Sequence, residues 1–169
     1  MEYWSIGVLE YWSIGVLERK NKNRGYQRLR VWQDAITLYV ETCRLFKSFP
    51  FEMKRVAGQA IASADSIHRN IAEGYCRKSV REYIQSLYIA LGSLGESVSG
   101  YQAYVRARQL SQEDFEALDS QAFKLENGLL RLVESLERKR NSGTWTETLS
   151  IKESDAIYAA DDSDGSKLS

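Results

Sequence analysis

Apolar side chains recur at alternating spacings of three and four through most of residues 29–136, the repeat that stacks them along one face of a helix. Over residues 29–48 the stripe reads Trp32, Ile36, Tyr39, Cys43 and Phe46. Phe49-Pro50 ends it, because proline lacks an amide donor and turns the residue before it away from helical geometry. A second helix from about residue 52 carries Ala57, Ala60, Ala64, Ile67 and Ile71, with Gly74 as its predicted stop. The third, residues 79–106, carries Ile84, Leu87, Leu91, Leu94, Val98, Tyr101 and Val105, and Ser79 and Glu82 stand at capping-box spacing at its start. Ser111 opens the fourth with Asp114 in its first turn, and Phe115, Leu118, Ala122, Leu125, Leu129, Leu132 and Leu136 hold the rhythm to the stop signal Asn141-Ser142-Gly143.

Helices of this kind are marginal alone and stable when their apolar stripes cover one another. Short connections make sequential helices antiparallel. The predicted fold is therefore all-α, an antiparallel up-down-up-down four-helix bundle over residues 26–140, with Leu91, Leu94, Leu125 and Leu129 buried at its centre. Two further stripes exceed what that core needs. Ser86, Ala90, Ser93, Ser97 and Gly100 form a small-residue line on the third helix, suited to close approach of another backbone. Gln59, Ser63, Ser66, Asn70 and Glu73 form an uncharged-to-acidic line on the second. Buried amides, hydroxyls and carboxylates need partners. Gln59, Ser66, Asn70, Glu73, Ser93 and Ser97 are thus expected to build a network between helices or between subunits, with a solvated groove as the alternative.

The flanks break the helical pattern. Residues 2–9 read EYWSIGVL and residues 10–17 repeat it perfectly. Two copies are too few for a solenoid; residues 1–25 are read as an extension ahead of the folded unit, an irregular strand pair being the other reading. Residues 141–169 are an acidic tail ending in a polar run with Asp161, Asp162 and Asp164, without the apolar period that a fold requires.

Charge sharpens this division. The whole chain is formally neutral, yet residues 19–140 hold 21 Lys or Arg against 14 Asp or Glu. A basic middle between acidic ends favours polyanionic partners. With up-down topology, the start of the first helix, the junction of the second and third, and the end of the fourth share one pole. That pole collects Arg19, Lys20, Lys22, Arg24, Arg28 and Arg30; Arg77, Lys78 and Arg81; and Arg138, Lys139 and Arg140. Such a convergence reads as a phosphate-backbone surface without a base-reading helix, with a solvated charged pole or a docking surface for a protein partner as the alternatives.

Other chemistry is sparse. Cys43 and Cys76 match no metal or disulfide spacing, and neither a secretory signal nor a run of 18 apolar residues is present, so a reduced cytoplasmic setting without membrane contact is expected. Glu41, Glu73, Glu96 and Glu126 place a carboxylate on each helix, but a di-metal bundle needs two Glu-x-x-His pairs and His68 is the sole histidine. No nucleophile, base and orienting group can be assembled by spacing, nor is there a phosphate-binding glycine loop. The expectation is a non-enzyme without metal or cofactor.

Val31-Trp32-Gln33-Asp34-Ala35, Phe49-Pro50, Gln59, Ser66-Ile67, Asn70-Ile71-Ala72-Glu73-Gly74, Arg77-Lys78-Ser79 and Ala90-Leu91-Gly92-Ser93-Leu94-Gly95-Glu96 together resemble the S23-like four-helix-bundle family encoded in intervening sequences of 23S ribosomal RNA genes. The resemblance covers residues 26–140. It implies a cytoplasmic homo-oligomer, preferably a five-membered ring. It also implies a fold similar to the accessory variability proteins of diversity-generating retroelements, basic rings that work with a reverse transcriptase and with RNA or DNA. Ile67-His68 stands where many relatives have Ile-Pro, so the second helix should keep a backbone donor there.

Overall fold

The computed structural model describes residues 24–144; the tandem repeat and residues 145–169 of the acidic tail lie outside them. Four helices follow one another: α1 (Arg30–Phe46), α2 (Lys54–Tyr75), α3 (Val80–Arg106) and α4 (Gln112–Asn141). Single 3-10 turns at Gly25–Arg28 and Phe51–Met53 precede α1 and α2. The predicted four-helix bundle is thus the observed one, with no strand among the described residues.

Residue pairing shows the antiparallel order directly. Between α2 and α3, Ser63 meets Ser97, Ser66 meets Ser93, and Gly74 meets Ser86, so one index falls as the other rises. Between α1 and α4, Val31 meets Gly128, Asp34 meets Lys124, and Arg44 approaches Asp114 in the same manner. Each helix packs on its sequence neighbours, and α1 closes the circle against α4.

The α2 stripe buries as predicted, with Ala57, Ala60, Ala64, Ile67 and Ile71; the α4 stripe does so from Leu118 through Ala122, Leu125, Leu129, Leu132 and Leu136, while Phe115 at its start is half-buried. The α1 stripe is displaced. Its buried residues are Val31, Ala35, Leu38, Thr42 and Phe46, whereas Trp32, Ile36, Tyr39 and Cys43 are half-buried. Both sets obey helical spacing, and the set containing Ala35 and Thr42 wins because small residues let α1 approach its neighbours while the bulkier line lies along the flank. Leu91 is half-buried rather than central; Ala90 and Leu94 take the interior of α3.

Gly74 is a correction of a different kind. The helix continues through it to Tyr75, and a Cβ on Gly74 would lie 2.6 Å from Ser86 Cβ and 2.8 Å from Tyr83 Cδ2. Glycine is therefore a spacer between α2 and α3, not a terminator. The true stops for α3 and α4 use left-handed backbone: Arg108 at φ 58° after α3 and Gly143 at φ 64° after α4. At Ser79 the hydroxyl accepts from the Glu82 amide at 3.2 Å and donates to Glu82 Oε2 at 2.9 Å. The cap forms, but Glu82 closes on the serine hydroxyl. Ser111 makes the same arrangement with Asp114, at 3.0 and 2.6 Å.

Candidate nucleic-acid interface

Aromatic packing gathers the basic segments at one end of the bundle. The ring of Tyr26, in the first 3-10 turn, lies 5.5 Å from Trp32 and 6.3 Å from Tyr75; Tyr75 in turn lies 6.2 Å from Tyr83. Gly25 sits so close to the Tyr75 hydroxyl that a side chain there would displace it. This cluster pins the start of α1 onto the α2–α3 junction. Burial raises the Tyr75 pKa, and the nearby Arg28 guanidinium partly offsets the rise.

The third segment arrives along α3. The Tyr88 hydroxyl donates to Glu137 Oε1 at 3.2 Å, with Arg140 close enough to oppose the carboxylate's upward push on the phenol. Arg24, Arg28, Arg30, Arg77, Lys78, Arg81, Arg138 and Arg140 are all exposed at this end, and Lys139 is half-buried. Arg19, Lys20 and Lys22 lie outside the described residues. Among the basic groups stand Glu73, Glu82 and Glu137. Glu73 is bonded to Arg77 and holds its guanidinium pKa above the ordinary value. Arg77 is thus the least available of the three junction cations.

Helix dipoles separate structural cations from the rest. Basic residues in the last turn of α4, Arg138, Lys139 and Arg140, stand at the negative end of that dipole and fit a purely structural role. Arg30 is the first residue of α1, at its positive end, and that first turn contains no acidic residue. Arg81 is the second residue of α3, followed in that first turn by Glu82. Cations there add to the local positive potential instead of cancelling it, the opposite of what helix stability alone favours. At the other pole the charges are interleaved: Arg44 pairs with Glu41 at 2.6 Å and approaches Asp114 at 3.8 Å, and Lys54 lies 5.7 Å over the Phe51 ring.

The expected polar network divides. Ser97 Oγ donates to Ser63 Oγ at 3.0 Å, Ser66 and Ser93 hydroxyls meet at 2.9 Å, and Asn70 Nδ2 donates to Ser66 Oγ at 3.0 Å. These form a ladder inside one chain, between α2 and α3. Gln59 is exposed, and Glu73 turns outward to Arg77. Ser93 and Ser97 therefore bond within the bundle, with Ser97 buried and Ser93 half-buried. The aromatic cluster of Tyr26, Trp32, Tyr75 and Tyr83 has no signature in the sequence; its members sit at no common period, and only the folded pole unites them.

Among the described residues no helix is long and apolar enough to cross a membrane, and no group of three or more His, Cys, Asp and Glu side chains converges on one point. Residues 27–131 match the model of the family described as 23S rRNA-intervening sequence protein. The fold is similar to the crystal structure of a protein with unknown function from the S23 ribosomal protein family of Bacteroides thetaiotaomicron, with 23% identity and a TM-score of 0.58 over 62% of this chain and 95% of that one. No curated protein matches the chain significantly.

Proposed function

Because this chain belongs to the 23S rRNA-intervening sequence protein family, we propose that it is a non-enzymatic, cytoplasmic nucleic-acid-binding bundle whose basic pole contacts the phosphate backbone. The observation that carries this reading is Arg30, exposed as the first residue of α1 in a turn with no acidic residue, where it reinforces the positive dipole end; Arg81 is exposed in the first turn of α3 beside Glu82. Lys78 extends the same surface, and Arg138 and Arg140, besides their place at the negative end of the α4 dipole, lie exposed beside it. Assembly into a ring, five-membered by resemblance, would repeat the pole around an axis and raise avidity for one polyanion. The resemblance extends this reading to service as an accessory to a ribosomal RNA element or to a reverse transcriptase.

The test is fluorescence anisotropy with single-stranded and duplex ligands over a series of salt concentrations. Replacing Arg77, Lys78 and Arg81 with glutamine should weaken both ligands and lower the logarithmic salt slope by about 0.7 to 0.9 for each phosphate no longer neutralised. The same number of glutamines at Arg44, Lys54 and Arg55 removes equal charge from the other pole and should matter less. Equal affinities for the parent and both variants, or no binding by the parent at low salt, would sink this reading in favour of a protein-recruiting scaffold.

A further inference from the structure

An open groove of about 510 Å³ runs between α1 and α4, starting at Arg30 and bordered by Asp34, Phe123, Lys124, Gly128 and Arg131. Its floor is low because Gly128 lies against Val31, where even a Cβ would sit 3.0 Å from Val31 Cγ1. Its rim carries Phe123, a large aromatic that is 67% exposed. Three cations face one carboxylate, and Asp34 is already held by Lys124 at 2.7 Å. Arg30 and Arg131 form no ion pair with a carboxylate among the described residues.

Lys124, Arg131 and Arg138 are seven residues apart, so they fall on one line of α4 with steps of about 10.5 Å. That line joins the groove to the basic pole. A net positive channel with an exposed ring at its rim suits a strand whose phosphates are charged and whose bases have free faces. Two packed helices, about 8 to 10 Å apart, leave a furrow too narrow for a duplex.

We propose that the α1–α4 groove seats a single-stranded nucleic-acid segment leaving the basic pole, with one unpaired base stacked on Phe123 and neighbouring phosphates held by Arg30 and Arg131. The assignment rests on the nucleic-acid reading of the pole and adds strand type and a specific path to it. Stacking, not hydrogen-bonded base recognition, makes the site tolerant of sequence. A duplex binds at the pole alone.

The experiment compares the full chain with Phe123→Ala, Phe123→Trp, Arg131→Gln and a Lys78→Gln/Arg81→Gln double variant, using a labelled short oligouridylate and a short duplex. Phe123→Ala should weaken the oligouridylate by about fivefold or more, the low end of base–aromatic stacking, and leave the duplex unchanged. Phe123→Trp should retain single-strand binding, and its added indole should be quenched by the ligand relative to the parent. Arg131→Gln should reduce the single-strand salt slope by about 0.7. If Phe123→Ala and Arg131→Gln bind oligouridylate as the parent does while the double variant is impaired, the groove is wrong and the pole stands. Equal weakening of both ligands by Phe123→Ala also overturns the groove. Failure of the parent to bind either ligand at low salt overturns both assignments.

Discussion

The hydroxyl of Tyr101 lies 2.7 Å from Oγ1 of Thr42, so a single hydrogen bond crosses the interior from α3 to α1. Thr42 Oγ1 also donates to the Leu38 carbonyl at 2.8 Å, which leaves Tyr101 as the donor across the core. Both residues are fully buried. Tyr83, on the same helix, is 2% exposed, and its hydroxyl has no partner among the described residues. Two buried phenols in one helix therefore differ in whether their hydroxyls are satisfied.

Their phenylalanine variants should diverge. Tyr101→Phe removes a made bond and should cost about 0.5 to 1.5 kcal/mol, whereas Tyr83→Phe removes an unmet one and should be neutral or stabilising by up to about 1 kcal/mol. Urea titrations of both variants read the difference. A loss of stability in Tyr83→Phe equal to that in Tyr101→Phe would mean that the Tyr83 hydroxyl has a partner.

Alkaline stability follows from the same burial. Burial, and after it the negative potential of Tyr75 and Cys76 when ionised, raises the Tyr83 pKa above its ordinary value of about 10. Below that pH the unfolded and folded chains both keep the proton, and the contribution of the neutral ring is complete. As pH rises past it towards the raised folded-state value, the unfolded chain loses the proton first and stability falls. Tyr83→Phe should flatten this decline in melts taken on both sides of pH 10; an unchanged slope would assign the decline to other phenols.

The serine ladder predicts non-additivity. Ser97→Ala leaves Ser63 without a cross-helix neighbour, and Ser63→Ala removes the acceptor of Ser97, so each should cost about 1 kcal/mol. The double variant should cost less than the two together, because both ends of the bond disappear. Ser97→Leu tests placement: with Ser97 only 1% exposed, a bulky side chain should lower stability by about 1 to 3 kcal/mol even under conditions where the chain is monomeric. Strict additivity in the cycle, or a Ser97→Leu variant as stable as the parent, would remove the ladder from the interior.

Gly74→Ala should destabilise by about 1 to 3 kcal/mol, despite alanine's better helix propensity, because Ser86 Cβ belongs to the body of α3 and cannot swing aside. Trimming the opposing residue with Ser86→Gly in the same chain should recover part of the loss. An alanine variant that melts above the parent would show that α2 and α3 have room to part.

The long apolar periods of α2 and α4 were legible because one residue set satisfied both spacing and size. On α1 two neighbouring sets satisfied spacing, and hydrophobicity pointed to Trp32, Ile36 and Tyr39; only the closeness of packing around Ala35 and Thr42 selects the other. The end of α3 was harder still. Arg108 occupies a left-handed position that glycine or asparagine usually marks, so Ala107-Arg108-Gln109 carries no local signal for it. The Gln109 amide donates to the Tyr104 carbonyl at 2.8 Å and fastens that turn after the fact.

The basic pole was visible as three charge clusters once topology was assumed, but the availability of each cation was not. Arg77 and Lys78 look alike in the chain, yet Glu73 claims only the arginine, one helical turn away. Phe123 and Arg131 were hidden for another reason. Neither stands in a run of similar residues, and their kinship depends on α1 lying beside α4.

The opposed numbering of α2 and α3 sets a strict limit on how this protein can change length. Extra residues between Cys76 and Ser79 would enlarge a surface turn at little entropic expense while every rung keeps its mate. One residue inserted between Ser86 and Ser93 would instead carry Ser93 and Ser97 about 100° around the helix, facing them away from Ser66 and Ser63 while Gly74 still meets Ser86. Descendants of this chain can therefore drift in their hairpin bend, but from Ser86, which meets the glycine, to Ser97, α3 must be inherited at constant length.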